Sequence, residues 1–304
     1  MPPRGYLSPL ADGRGRLQRR AFLVGTGCAL IGAPALATDR NFGGERFKAS
    51  VTALDAATRG RLGVAILNTG TGARFAWRGD ERFAMCSTFK FVLAAAILKR
   101  VEQGRERLDR RIAVTAADIV QPSPLCSARI GSDASITELC AATVGLGDNT
   151  AANLLLPVVG GPAGLTRFMR GLGDAASRLD RNEPALNEAR PGDPRDTTTP
   201  LAMLGLLDRL TLGRALAPAS REQLVAWLLA STTGAARMKA GLPASWAVAE
   251  KTGAGNGSDN DVALLWPPRR RPLLVSIYIA GSPLPMAQTN AIHAELGKLI
   301  AAAV

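Results

Sequence analysis

The spacing of apolar residues changes period twice along this chain, and that limits the folds open to it. Near the start, residues 62–67 (LGVAIL) and 74–77 (RFAW) read as two strands around the turn Gly70-Thr71-Gly72. An amphipathic helix over 47–59 precedes them. From Ser87 to about residue 229 the pattern is helical, with helix starts at Asp148/Asn149, Thr199-Pro200 and Ser220 and loops at 122–124 and 160–162. Strands return at 246–251, 261–266 and 272–280, and 286–304 is helical again. Strands from both ends of a chain with helices between them imply a mixed domain completed by distant segments, and an inserted all-helical domain. No internal repeat appears. Small-molecule clefts commonly form where two such domains meet.

The first 37 of the 304 residues read as an export signal. Arg19-Arg20-Ala21-Phe22-Leu23 is a twin-arginine type start, an apolar Gly- and Ala-rich run follows, and Ala35-Leu36-Ala37 offers small residues for cleavage. Residues 21–37 are short and glycine-interrupted for a membrane anchor. Gly25 stands where lipid attachment at Cys28 would want a larger apolar residue. Losing this segment removes five Arg and one Asp, so the net charge falls from +12 to +8. The remaining Arg residues are scattered and not interleaved with aromatics, which argues against nucleic-acid binding. Arg269-Arg270-Arg271, after Pro267-Pro268, reads as a solvated turn, and the surplus charge suits small anionic ligands. Cys86, Cys126 and Cys140 remain, an odd number that allows at most one internal bridge. No Cys-x-x-Cys pair suggests a metal. An exported, cofactor-free monomer is expected.

Met85-Cys86-Ser87-Thr88-Phe89-Lys90 opens the helical block, ahead of the Ala- and Leu-rich run of 91–98. Residues three apart share a helix face, so Lys90 sits beside Ser87 one turn on. A serine hydroxyl is a poor nucleophile until a base takes its proton, and a lysine amine whose pKa is lowered can be that base. Alone, such a pair more often marks a helix cap and a snorkelling lysine. The only histidine, His293, falls in the C-terminal helix and reads as a solvated helix residue, so a Ser-His-Asp triad is not expected. Residues 178–196 (RLDRNEPALNEARPGDPRD) form a long polar segment, either a surface excursion or an Ω-type loop pinned by its terminal Arg and Asp residues.

Downstream stand Gly147-Asp148-Asn149, Glu183-Pro184-Ala185-Leu186-Asn187 and Lys251-Thr252-Gly253. Each is weak alone, but the order and spacing of the set are specific. From about residue 45 to its end the chain resembles the class A serine β-lactamases. The resemblance implies an α/β (α+β) two-domain fold of the serine β-lactamase/DD-peptidase type, with an antiparallel sheet flanked by helices and an inserted all-α domain. On that reading 38–85 and 230–304 form the mixed domain, and 86–229, with the loop 178–196, the helical one.

The resemblance also implies roles. Ser87 attacks the β-lactam carbonyl, and its own N–H with that of Ala254 forms the oxyanion hole. Glu183, oriented by Asn187, activates the water that hydrolyses the acyl-enzyme, and either Glu183 or Lys90 is the base for acylation. Asn149 binds the substrate's side-chain amide. Lys251 and Thr252 hold its carboxylate, helped by Arg237, for which a surface charge at a helix end is the alternative; Gly253 and Ala254 also belong to the substrate-binding set. Lys251 is expected to lower the pKa of Lys90 by like-charge repulsion.

Three departures qualify this. Gly147 stands where the family has a serine that passes a proton to the β-lactam nitrogen, so slow turnover is expected unless a water or another hydroxyl fills in. Pro122 replaces an aromatic at the cleft mouth. The family's partner for Cys140 is Ala94 here, and that of Cys86 in the carbapenem-hydrolysing subgroup is Gly255, so neither bridge forms. The activity implied is hydrolysis of the cyclic amide of penicillin- and cephalosporin-type antibiotics. A DD-peptidase-like enzyme or a slow-turnover β-lactam-binding protein is the alternative.

Overall fold

The structure is a computed structural model that describes residues 42–304; the export signal read at 1–37 and Cys28 lie outside the described residues. Five strands form one sheet: β1 (Arg61–Asn68), β2 (Arg74–Trp77), β3 (Ala247–Gly255), β4 (Ser258–Trp266) and β5 (Leu273–Ala280). Their order is β2-β1-β5-β4-β3, and every neighbouring pair is antiparallel. The two N-terminal strands therefore join the three C-terminal ones through β1 and β5, as the change of period implied.

Strand alternation sends side chains to two faces. Leu62, Val64 and Ile66 of β1 pack with Phe47 and Val51 of helix α1 (Glu45–Ala57) and with Ile292, Leu296 and Ile300 of the C-terminal helix, Met286–Ala302. Ala65 and Leu67 face the other way and join the core of the helical block. Burying each such aliphatic side chain contributes roughly 1.5–3 kcal/mol. The block is centred on α2 (Phe89–Glu102), in which Phe89 through Leu98 are all buried. A helix apolar all round is a core helix, and Lys90 is the one charge carried into it, at 0% exposure.

Two short antiparallel ladders complete the described strands: Arg111–Val114 with Ser132–Ser135 inside the helical block, and Phe83–Ala84, just ahead of it, with Thr197–Thr198. Runs of two to four residues are too short for alternation to stand out in the sequence. The segment 178–196 closes on itself. The Asp196 carboxylate accepts the N–H groups of Asp180 (2.7 Å) and Arg181 (2.9 Å) and pairs with Arg181 Nε at 2.6 Å. An Ω-type loop pinned at its ends thus describes it better than a loose excursion.

One expectation is corrected. His293 is 0% exposed, not solvated. Thr289, Ile292, His293, Leu296, Gly297 and Ile300 share the inward stripe of the last helix, a spacing that the sequence already contains. Its Nε2 lies 3.2 Å from the Asp259 carbonyl, and burial pushes its pKa down to about 3.

Candidate active site

Ser87 lies in a single 3₁₀ turn, Cys86–Thr88, from which α2 continues at Phe89. The turn is held from several sides. Asn260 Nδ2 donates to the carbonyls of Ala84 (2.9 Å) and Met85 (3.2 Å), and the Thr88 hydroxyl donates to Met85 O at 2.7 Å. Cys86, just before the nucleophile, is in the left-handed region at φ 44°, a conformation that costs a non-glycine residue on the order of 1 kcal/mol or more. Gly253 has a packing reason to be glycine. A Cβ there would stand 2.9 Å from Met85 O and 3.1 Å from Ser87 N. Only a bare backbone lets the edge of β3, with Ala254 next along it, run against the Ser87 N–H.

Two donors converge on Glu183 Oε1: Ser87 Oγ at 3.2 Å and Lys90 Nζ at 3.0 Å. The other oxygen, Oε2, accepts from Asn187 Nδ2 at 2.5 Å. Lys90 also donates to Gly147 O (2.8 Å) and Asn149 Oδ1 (2.5 Å), so each of its three ammonium protons has an acceptor. Burial lowers the Lys90 pKa, and Glu183 works against that. Asn149 gives one amide hydrogen to Gln121 O at 2.9 Å, and its second amide hydrogen has no partner among the described residues. It opens the helix Asn149–Leu155, which Asp148 caps by accepting from Ala151 N at 2.8 Å.

Asn153 was not anticipated. Its amide clamps the Glu183 backbone, donating to Glu183 O at 2.9 Å and accepting Glu183 N–H at 3.0 Å. Its spacing of four from Asn149, on one helix face, was the available signal.

Lys251 is buried, and its Nζ donates to Thr252 O at 2.8 Å. Burial brings its pKa down to about 7, with the charges of Lys90 and Arg237 adding to the effect. Burial is the largest cause of the lowered pKa of both lysines; like-charge repulsion adds to it at Lys251, and Glu183 works against it at Lys90. Thr252 Oγ1 is 2.6 Å from the hydroxyl of Thr233, a second residue sequence reasoning passed over. Arg237 is not a surface charge at a helix end. It is buried behind β3, donating to Gly253 O (3.1 Å) and Asn260 O (2.5 Å) and pairing with Asp259 at 2.6 Å. It lends positive field to the Lys251–Gly253 edge through these contacts.

Gly147 ends the preceding helical segment at φ 73°, and a Cβ built on it would find only Thr233 Cγ2 (3.8 Å) and Lys251 Nζ (4.0 Å) within 4 Å. Pro122 is exposed. Cys86, Cys126 and Cys140 are free and buried, and burial pushes the Cys86 thiol up to about 12. A Cβ at Gly255 would lie 2.7 Å from Cys86 Sγ, so those two positions do face each other. Among the described residues no group of His, Cys, Asp and Glu side chains is arranged to hold a metal ion.

The arrangement is a serine beside a buried lysine and a carboxylate, facing a cationic strand edge. It suits acyl transfer to the serine followed by hydrolysis. Comparison with known proteins agrees. The model of the β-lactamase enzyme family matches residues 46–304. The chain is 50% identical over 229 residues to β-lactamase OXY-2 of Klebsiella oxytoca, covering 75% of this chain and 79% of that one. It is 43% identical to β-lactamase L2 of Stenotrophomonas maltophilia over 297 residues, 93% and 98% of the two chains. Among solved structures, an ancestral class A β-lactamase superposes with a TM-score of 0.82 at 55% identity, over 83% of this chain and 97% of that one. A putative class A enzyme of Rhodopseudomonas palustris gives a TM-score of 0.84 at 49% identity, over 86% and 100%. Given a matching family model, half-identical relatives and the site just described, this chain belongs to the class A serine β-lactamases, hydrolases of β-lactam antibiotics that work through an acyl-enzyme.

Proposed function

We propose that Ser87 is the residue acylated and that Glu183 drives deacylation, with penicillins and cephalosporins as substrates. The observation that carries this is the convergence of Ser87 Oγ and Lys90 Nζ on one oxygen of Glu183 while Asn187 holds the other. In acylation Glu183 is the base within reach of the Ser87 proton, since Lys90 has all three hydrogens engaged. The N–H groups of Ser87 and Ala254 stabilise the oxyanion, each worth about 10²–10³-fold in rate. Lys251 and Thr252 hold the substrate carboxylate, with Arg237 supporting from behind, and the free amide hydrogen of Asn149 takes the substrate's side-chain carbonyl. In deacylation Glu183 takes a proton from the attacking water. A buried carboxylate against the nucleophile favours this over a DD-peptidase, which has no such base.

The protein also reads as exported through the twin-arginine route to the periplasm and active as a monomer. Arg19-Arg20 and Ala35-Leu36-Ala37 support the route, and among the described residues no helix is long and apolar enough to cross a membrane.

Mature protein mixed with a chromogenic cephalosporin, followed by colour and intact mass, tests the roles. Steady turnover that is lost in Glu183→Ala, with a Ser87 adduct accumulating, is the expected result. A single stoichiometric burst and a stable adduct in the unmutated protein would favour the β-lactam-binding reading instead.

A further inference from the structure

The leaving β-lactam nitrogen must gain a proton when its bond to the carbonyl breaks, and at Gly147 the chain has no hydroxyl to supply it. Two side chains face that gap. Thr233 turns its methyl group toward it, 3.8 Å from the Cβ position, while its hydroxyl is bonded to Thr252 at 2.6 Å. Lys251 turns its amine toward it at 4.0 Å. That amine makes one hydrogen bond among the described residues, to Thr252 O, so two of its three ammonium hydrogens are unengaged. Lys90, by contrast, has every hydrogen committed. We infer that Lys251 itself, directly or through one water, delivers the proton to the leaving nitrogen, in place of the hydroxyl that Gly147 lacks. The inference rests on the reading of Ser87 as the acylated residue.

The step balances. Ser87 Oγ–H breaks and its proton passes to Glu183; Oγ–C forms; the C–N bond breaks and its electron pair takes a proton from the Lys251 ammonium. The proton on Glu183 is then returned to the neutral Lys251 amine by way of water, which restores both groups for the next step. The charges that set the acidity of Lys251 come from each neighbouring element. Lys90 of α2 and Arg237 lower its pKa, Glu183 of the loop and Asp261 of β4 raise it, and burial outweighs them all. A pKa near 7 makes the group a competent acid at neutral pH, whereas an ordinary lysine would hold its proton too tightly.

The test is the single-turnover acylation rate at saturating chromogenic cephalosporin, with Lys251→Arg made in three backgrounds and each background measured alone. The backgrounds are the unmutated protein, Gly147→Ser and Gly147→Ala. Lys251→Arg keeps the positive charge for the substrate carboxylate but cannot give up a proton. In the unmutated background it should slow acylation on the order of 10²-fold. Combined with Gly147→Ser, which restores a hydroxyl, the same change should cost less than about tenfold. Combined with Gly147→Ala, which fills the gap without a hydroxyl, it should again cost the full amount. Gly147→Ser alone, if folded despite the left-handed backbone, should weaken the alkaline fall of the rate. An equal loss from Lys251→Arg in all three backgrounds would overturn the inference, because Lys251 would then act on the carboxylate alone. The unmutated protein gives an independent reading. Its saturated acylation rate should fall at alkaline pH as the Lys251 ammonium is lost from the complex, and KM should rise with it, since the same charge holds the substrate carboxylate. A saturated rate that stays flat into the alkaline range where KM has already risen to its limit would equally overturn it. Absence of any Ser87 adduct would instead remove the hydrolase reading, and this inference with it.

Discussion

At the scale of single residues, the site concentrates its strain and its buried charge close to Ser87. Cys86 sits at positive φ, and Lys90, Glu183 and Lys251 are charged groups withdrawn from water. Buried charges persist only when paired and hydrogen-bonded, and Lys90 with Glu183 meets that condition more fully than Lys251 does. The missing hydroxyl at Gly147 has a direct chemical consequence. Inactivators such as clavulanate that acylate Ser87 and then cross-link to a second hydroxyl have none at this position. The expected mass spectrum after clavulanate shows Ser87 adducts and no cross-link from Ser87 to a second residue; any such bridged peptide would refute the expectation.

At the scale of elements, the loop 178–196 is what brings Glu183 to Ser87 across 96 positions of sequence. Its ends are fastened by Asp196, which is buried and serves Arg181 and two backbone N–H groups at once. Asp196→Ala leaves the Arg181 guanidinium and both N–H groups without that acceptor. Removing one member of a buried pair costs about 3–5 kcal/mol, and the urea midpoint should fall accordingly at unchanged slope. Because Asn153 still grips the Glu183 backbone, the residual folded enzyme should acylate and deacylate slowly rather than not at all. The lifetime of the acyl-enzyme checks this, and an unchanged lifetime would show that the loop ends do not position Glu183. The sheet edge behaves similarly: Arg237 and Asp259 tie β3 and β4 to the C-terminal helix, where Thr289 Oγ1 donates to Asp259 at 2.5 Å.

For the whole molecule, burial of ionisable groups makes stability depend on pH in two opposing ways. His293, with a native pKa of about 3, stays neutral in the fold while the unfolded chain protonates below about 6.5. The unfolded state therefore binds more protons between those values, and this contribution is lost as pH falls. Glu250, pushed up to about 7 by burial, does the reverse: its contribution is present in acid and is lost as pH rises from about 4.5 toward 7. His293→Gln should leave the second effect alone. The stability difference between pH 5 and pH 7 should then shift in favour of pH 5 by about 2 kcal/mol relative to the unmutated protein. Denaturant titrations at the two pH values measure it, and an unshifted difference would mean that His293 is charged in the fold.

Much of this molecule was already legible in the order of its residues. Periodicity marked the strands of both chain ends and the helices between them, because alternation and the 3.6-residue repeat are local consequences of backbone geometry. Motif spacing pointed to Ser87, Lys90, Glu183 and Asn187, which the fold brings into hydrogen-bonding contact, and to Lys251 beside Gly147. What needed the tertiary structure was every property set by contacts between distant segments. Arg237 and His293 look like surface residues until packing closes over them. Asn153 and Asn260 become positioning groups only when a loop or a turn arrives at their amides. The lowered pKa values of Lys90 and Lys251 are likewise decided in three dimensions, since desolvation and Coulomb energy depend on distance and burial, neither of which one chain of letters contains.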